Sequence, residues 1–401
     1  MILNNKKVAI IGAGPGGLTL ARLLQLRKVN TKVYERDVNA SARVQGSPLD
    51  MHEGSGWEAL RKANLVEAFK KNVSKGADKK VIVNERAEVM YSDHESLQAD
   101  DLHHEPTNPE IDRGALREIF LASLQPETVV WNSHFVSMEK KKEGWILHFK
   151  NGSSAYADLV VAADGAHSKI RPYLTAVQPV YSGITMIEIN IDNAALKAPH
   201  LYVMLNGGKL LAFGKGKNIL GGQKENGGLG FYISFKAEKD WAANSGLNFS
   251  EKRQLLAWFK KEYSEWSDTW YELFENASMP AIPRPIYHMP PDQTWETLPN
   301  LTLLGDAAHV MPPFAGEGAN TAMFDALELS EYLTSGKFTN LQEAISFYEL
   351  SMRKRAAVAT KLSLENGQRM HSENALEKML AILSTPPRGG NLGGAVDPLK
   401  S

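Results

Sequence analysis

Apolar and polar residues alternate along this chain in two textures. Lys7 to Ile11 is a short β-branched run, a glycine-rich hexapeptide follows, and Leu20, Leu23 and Leu24 then fall on one face of Leu18 to Leu26. That order predicts strand, tight turn and helix. The same order returns near the other end. There Asn300 to Leu304 reads as a strand, Gly305-Asp306 as a turn, Pro312-Pro313 as a stiff exit, and about Asn320 to Leu333 as a helix. Between them the pattern predicts a strand at Thr31 to Tyr34, a helix at Gly56 to Ala63 and strand-like residues from Gly76 to Tyr91. A polar loop from Ser92 to Pro109 comes next, then a helix entered at Ile111-Asp112-Arg113. Val129 to Trp131, Phe135 to Met138, Trp145 to Phe149 and Ala157 to Ala162 read as a meander returning to the main sheet. From about Gln178 to Pro290 the texture becomes strand-length: Gly183 to Ile191, Leu201 to Leu205, Lys209 to Phe213 and Gly230 to Phe235, interrupted by a helix at Ser250 to Tyr263. Pro280, Pro283, Pro285, Pro290 and Pro291 mark the return, and Leu341 to Ser363 and Glu365 to Ile382 read as helices.

These elements predict an α/β protein: a Rossmann-like domain, a second domain built on an antiparallel sheet, and a C-terminal bridging helix. The first domain is expected to be discontinuous, over 1–75, 105–177 and 291–363, with the second over 76–104 and 178–290. The bridging helix is expected at 364–385 and a flexible tail at 386–401. At 401 residues the chain is long enough for two cores.

Composition narrows the function. Hydrophobic residues at 43% and charged residues at 23% describe an ordinary globular protein. With 45 basic against 46 acidic residues, there is no long-range field to hold a polyanion, so nucleic acid and anionic membranes are not expected partners. The absence of cysteine excludes disulfides, thiolate metal sites and a cysteine nucleophile. Lys6-Lys7 and the apolar run to Leu20 have the outline of a signal peptide, but Gly12, Gly14, Pro15, Gly16 and Gly17 would break its helix. No apolar run approaches the roughly 20 residues needed to span a bilayer, and a cytoplasmic location is expected.

Gly12-Ala13-Gly14-Pro15-Gly16-Gly17 stands between strand and helix, where a G-x-G-x-x-G turn lets backbone approach a pyrophosphate seated on the helix N-terminus. Glu35 follows Gly17 by eighteen residues at the end of the next strand, where a carboxylate accepts hydrogen bonds from a ribose 2′-OH. Two further turns put a glycine beside an acid after a buried strand, at Asp164-Gly165 and Gly305-Asp306. Arg43 and Asp50 lie on a glycine- and proline-punctuated loop. Arg113 sits in the first turn of a helix, a locally unfavourable place for a cation by a few tenths of a kcal/mol, which an anionic ligand would offset. His103 and His104 are adjacent and cannot share a face, which argues against a metal site, and none is expected. His309 reads as a packed, hydrogen-bonded histidine rather than a base.

The order and spacing of the three turns resemble the single-component flavoprotein aromatic hydroxylases, the group with the para-hydroxybenzoate hydroxylase fold. Within it the chain is most similar to the tetracycline-inactivating monooxygenases, through Val33-Tyr34-Glu35-Arg36-Asp37, Leu49 to Gly56, Asn108-Pro109-Glu110-Ile111 and Gly305 to Gly318. The resemblance implies that the two domains bind FAD and substrate. Glu35 and Arg36 would hold the FAD adenosine, and Asp50 and Arg113 would contact the cofactor. Asp306 would bind its ribityl or pyrophosphate part, and Gly318, Ala319 and Asn320 would lie by the isoalloxazine. Arg43 matches the NADPH arginine, and Pro313, Phe314, Gly316, Asn366 and Met370 match positions lining a substrate cavity. The expected enzyme needs no catalytic side chain: NADPH reduces FAD, O2 adds to it, and one oxygen passes to an electron-rich enol or phenol carbon. Its partners would be an aromatic or polyketide small molecule and O2, with the protein a monomer.

Three positions depart from the tetracycline-degrading pattern. Where that group has glutamine, arginine and histidine facing the drug, this chain has Glu188, Lys209 and Gly230. A buried polar contact left unmade costs roughly 1–3 kcal/mol. The same chemistry on another polycyclic or quinolone-like aromatic is therefore an alternative. A nicotinamide dehydrogenase is another, although it leaves Asp164-Gly165 and Gly305-Asp306 unexplained. A flavin- or drug-binding protein without turnover is the third.

Overall fold

The computed structural model describes residues 2–42, 48–74, 76–94, 108–224 and 226–384. Arg43, His103 and His104, and the tail from 386, lie outside the described residues.

Five strands form a parallel sheet in the order Leu301–Leu303, Leu159–Ala162, Lys7–Ile11, Asn30–Tyr34, Val129–Val130. The neighbours pair in register, Ile11 with Ala162 and with Tyr34, and Ala162 with Leu303. All four residues of Leu159–Ala162 are buried, as expected of a parallel strand covered on both faces. The helices Pro15–Leu26 and Gly318–Thr334 pack together over this sheet. Gly16 makes that contact possible, since a Cβ there would lie 2.7 Å from Leu304 Cδ1 and 2.9 Å from the Ala322 carbonyl oxygen.

A second sheet has seven strands. Their order is Ser278–His288, Val180–Ile191, Leu229–Lys236, Lys217–Gln223, Lys209–Gly214, Lys80–Asn84, Val89–Ser92. It is antiparallel except where Lys209–Gly214 runs parallel to Lys80–Asn84. Ile187, Ile189, Ile191, Leu210, Ala212, Phe231 and Ile233 on one face bury against Leu255, Phe259, Trp270 and Phe274. On the opposite face Ile82 and Phe213 pack with Met370 and Ala375.

Several sequence expectations change. The proline-rich return is an eleven-residue strand, Ser278–His288. Proline lacks an N–H for the ladder, and this strand is at the sheet edge, where that donor is dispensable. Leu201 to Leu205 is not a strand but the end of a helix, Pro199–Leu205, begun by a proline at its first turn and closed by Asn206 in the left-handed region. The meander does not rejoin the main sheet as a unit. Phe135–Lys141, Gly144–Phe149 and Ser154–Ala157 form a separate three-stranded sheet, with Val129–Val130 and Leu159–Ala162 in the parallel sheet on either side of it in sequence. The C-terminal helix is continuous from Leu341 to Met370, because nothing near Leu364 breaks it, and a second helix runs over Ala375–Ser384. Among the described residues no helix is long and apolar enough to cross a membrane.

One buried ion cluster ties the last strand of the parallel sheet to two helices. Asp325 is fully buried, accepts a hydrogen bond from the Gly305 N–H at 2.9 Å, and pairs with His309 Nε2 at 2.6 Å and Arg355 at 2.8 Å. Burial alone would raise its carboxyl, but His309 and Arg355 outweigh it and hold the value below 3.8. Removing one member of such a buried set strands the others, so Asp325→Ala should cost about 3 kcal/mol or more, read as a lower denaturation midpoint. Since the folded value lies below the unfolded one, this contribution is complete above the unfolded value and lost as pH falls through the folded one. Wild type should therefore lose stability below about pH 4 more steeply than Asp325→Asn. Unchanged midpoints in both variants would contradict this role.

Candidate functional site

Parallel pairing in register brings four strand ends to one edge, with neighbouring strands roughly 4.8 Å apart. Gly12 follows Ile11, Glu35 follows Tyr34, Asp164 lies two residues beyond Ala162, and Gly305-Asp306 lies just beyond Leu303. The glycine fingerprint, the ribose-type acid and the two glycine–acid turns thus share the carboxyl edge, where α/β sheets bind ligands.

The fingerprint glycines have different reasons. Gly12 has φ +109° and a Cβ there would meet the Ala163 carbonyl oxygen at 2.3 Å, while one on Gly17 would meet the Gly12 carbonyl oxygen at 2.1 Å. Gly14 is the exception, with nothing within 4 Å of its Cβ position. It is the N-cap of Pro15–Leu26, its φ is −79°, and no side chain caps that helix end. A cleft beside it is lined by Ala13, Gly14, Pro15, Glu35, Asp37, Arg113 and Arg117. Glu35 Oε2 accepts from Ala13 N at 2.7 Å and Oε1 from Asp37 N at 3.0 Å, which fixes the carboxylate while leaving each oxygen a further lone pair. Asp37 pairs with Arg117 at 3.3 Å. Arg113 has a buried Nε with no partner, on a helix capped instead by Asp112. Arg36 is exposed.

The glycine–acid turns are stapled together by Arg171. Its guanidinium donates to the carbonyl oxygens of Ala307 at 2.7 Å, and of Asp306 and Ala166 at 3.0 Å. Asp164 Oδ2 accepts from Lys169 N at 2.9 Å, Oδ1 is buried without a partner, and burial raises its carboxyl above the ordinary value. Asp306 is exposed at the edge. These features fit a dinucleotide cofactor: an uncapped helix start with room at Gly14, orphaned polar atoms on Arg113 and Asp164, and acids at ribose-type positions.

Further along, the ribbon Leu49–Asp50 with Glu110–Ile111 packs against the start of Gly318–Thr334. Asn320 is buried and sews the two together, accepting from His52 N at 2.9 Å and donating to the Asp50 carbonyl at 2.8 Å. Its amide is therefore a structural tie, whereas Gly318 and Ala319 form the first turn of that helix. A Cβ on Gly316 would lie 3.5 Å from both Asp50 carboxylate oxygens. His52 bridges Asp50 and Glu317, and Glu110 bonds Lys209. Burial raises Glu110 to about 7 against the pull of Lys209.

The inner face of the seven-stranded sheet is organised in rows. Lys209, Gly222, Gly230 and Asn190 are successive register partners, and Leu211, Leu220, Tyr232 and Glu188 form the next row. Gly222 has nothing within 4 Å of its Cβ position, so the first row is open there, whereas the Lys224 side chain lies over Gly230, 3.0 Å from its Cβ position. Glu188 is buried and paired with Arg284, while Asn190 accepts from Lys224 Nζ at 2.7 Å. The charges of Glu188 and Lys209 are thus engaged within the protein. A third row, Asn218 and Ser234, meets His371 at 3.1 and 2.8 Å. The other His371 nitrogen is 2.7 Å from the Gly367 carbonyl, and burial lowers the imidazole to about 4. It is therefore neutral, donating from Nδ1 and accepting at Nε2. Its ring meets Phe314 edge-on at 5.5 Å, and Gly367 leaves room for that phenyl group. Asn366 donates to the Phe314 carbonyl at 3.2 Å, Met370 is buried beside Phe213, and Pro313 is exposed.

Sequence reasoning did not find His52, Glu110, Arg117, Glu317, Arg284 or His371. Their partners are far away in sequence, as with His52 and Glu317, 265 residues apart. Only the alternation Asp50-x-His52, which puts both side chains on one side of an extended segment, carried a signal.

A family model described as FAD binding domain matches residues 5–218 and 297–361. The chain is 27% identical to Monooxygenase penA from Penicillium thymicola, over 94% of this chain and 98% of that protein. It shares its fold with Klebsiella pneumoniae HpxO complexed with FAD and uric acid (TM-score 0.71, 18% identity, 95% and 93% of the two chains). The same holds for tetracycline destructase Tet(55) (TM-score 0.75, 17% identity, 96% of each chain). These last two likenesses concern fold alone. The chain belongs to the FAD binding domain family, as a flavin-dependent monooxygenase of the aromatic hydroxylase kind.

Proposed function

We propose that this monooxygenase uses NADPH and O2 to hydroxylate a polycyclic phenol or enol, with a tetracycline as the first candidate, acting as a cytoplasmic monomer. The observation that supports this reading is the side-chain-free position at Gly222, in the sheet row that runs from Lys209 through Gly222 and Gly230 to Asn190. A flat ring system suits a sheet position with no side chain rising from it, and the Lys224 side chain over neighbouring Gly230 would border it. The proposed division has an FAD-binding part over 1–75, 105–177 and 291–363, a substrate part over 76–104 and 178–290, and the bridging segment 364–385 between them.

When bound, FAD accepts hydride from NADPH and, once reduced, activates O2. The chain's own residues do the rest. Glu35 would accept the adenosine ribose hydroxyls, the uncapped helix start at Gly14 would face the pyrophosphate, and Arg113 would offset its charge. Asp306 would hold the ribityl hydroxyls. Gly318 and Ala319 would present backbone N–H groups to the ring edge. Phe314, clamped by Gly367 and His371, would wall the substrate cavity and exclude water. Arg43, the proposed NADPH contact, belongs to the segment outside the described residues.

A second reading keeps the reaction and changes the substrate to another polycyclic or quinolone-like aromatic. It is favoured by the engagement of Glu188 with Arg284 and Lys209 with Glu110, which leaves neither charge directed at a drug.

Two experiments test these statements. Purified holoenzyme with NADPH, O2 and a panel of tetracyclines, quinolones and smaller phenols should add one oxygen to a polycyclic member, seen by mass spectrometry. Turnover confined to single-ring phenols would contradict the polycyclic reading, and a quinolone product without a tetracycline product would select the second. Gly14→Val places a side chain in empty space on an extended backbone, so the apoprotein should keep its melting temperature. Its FAD affinity should fall at least tenfold, about 1.4 kcal/mol. Undiminished FAD binding would remove the cofactor from this turn.

A further inference from the structure

The loop after Asp50 carries an imidazole between two carboxylates. His52 Nε2 lies 3.0 Å from Asp50 Oδ2 and Nδ1 lies 3.2 Å from Glu317 Oε1. A neutral imidazole has one N–H, so its other nitrogen would aim a lone pair at an anion. Both contacts are attractive only when both nitrogens are protonated. The hydrogen bonds to Asp50 and Glu317 outweigh burial and push the imidazole up to about 10, which makes His52 a fixed cation at neutral pH.

Side-chain exposures of 20% for His52, 31% for Asp50 and 25% for Glu317 leave these charges only partly screened by water. Two more charges face them from other elements. Glu110 is the register partner of Asp50, and Lys209 reaches in from the seven-stranded sheet to bond it. Asp50 and Glu317 stand against His52 and Lys209, with Glu110 only partly ionised at neutral pH, and without His52 two full carboxylate charges would face one cation. The cluster adjoins Gly316 and the start of Gly318–Thr334, for which Glu317 is an N-cap residue with no capping side-chain bond.

We propose that His52 is a positioning residue whose fixed positive charge, shared between Asp50 and Glu317, raises the reduction potential of the bound flavin. The inference rests on the reading that FAD lies along the strand edge with its ring at the Gly316–Gly318 end. Hydride from NADPH brings two electrons and one proton to the ring, leaving it with one more negative charge. A seat holding the carboxylates of Asp50 and Glu317 resists that gain. The imidazolium offsets one carboxylate, and the helix start adds to it.

The test is the midpoint potential of the flavinated protein, by equilibration with a redox dye, alongside FAD occupancy from visible absorbance. In His52→Gln the affinity for reduced over oxidised FAD should fall at least tenfold, a shift of about 30 mV to more negative potential for a two-electron couple. In Glu317→Gln, which removes a flanking carboxylate, the potential should move the opposite way, and His52→Arg should stay near wild type. A merely structural His52 would change occupancy or melting without this sign pattern. Flavinated His52→Gln and Glu317→Gln at the wild-type potential would overturn the inference alone. If His52→Gln does not fold, an unchanged or more negative potential in Glu317→Gln overturns it. A wild-type chain that takes up no FAD would overturn the proposed function as well.

Discussion

Parallel pairing in register is the constraint on which the site depends. Because Ile11 pairs with both Ala162 and Tyr34, and Ala162 with Leu303, the strands that carry the motif turns end at the same level. Residues as far apart in sequence as Gly12 and Asp306 come to the same edge of one sheet. A slip of one residue in any of these pairings would send its turn's side chains to the opposite face. The burial of Leu159–Ala162 on both faces makes such a slip costly.

Behind that edge the protein holds its turns by charge as well as by packing. Asp325, His309 and Arg355 fix the Gly305 turn from the helix side, and Arg171 draws the Asp164 and Asp306 turns together through their carbonyl oxygens. The charged groups lie at the back and at the front of this edge. At the back Asp325 has both carboxylate oxygens engaged and serves the fold, while His309 Nδ1 and Arg355 Nε beside it are buried without partners. Those at the front, Arg113 and Asp164, keep buried atoms without partners. An apoprotein tolerates such unpaired atoms at a cost, and a ligand that satisfies them recovers it on binding.

What was legible in the sequence follows from how local each signal is. Gly12 to Gly17, Glu35, Asp164-Gly165 and Gly305-Asp306 stand at strand ends whose signals are complete within a few residues, so the fold class and the strand edge they share could be read directly. Leu201 to Leu205 could not, because a short apolar run fits strand and helix alike until Pro199 and Asn206 are recognised as its ends. The edge position that makes Ser278–His288 a strand despite its prolines is a property of the whole sheet. Glu188 and Lys209 were read as substrate-facing positions, yet their engagement with Arg284 and Glu110 arises only when strands and ribbon are assembled. His371, joining the end of the long helix to Asn218 and Ser234, is invisible for the same reason.

The most direct test of one cofactor spanning this edge is a titration of the deflavinated protein with FAD, wild type beside Asp306→Ala, followed by visible absorbance and quenching of flavin fluorescence. Wild type should bind one equivalent per chain, and Asp306→Ala, altered at a turn far in sequence from the glycine fingerprint, should bind at least tenfold more weakly, about 1.4 kcal/mol. Equal affinity in the two proteins, or a wild type that stays colourless, would contradict it.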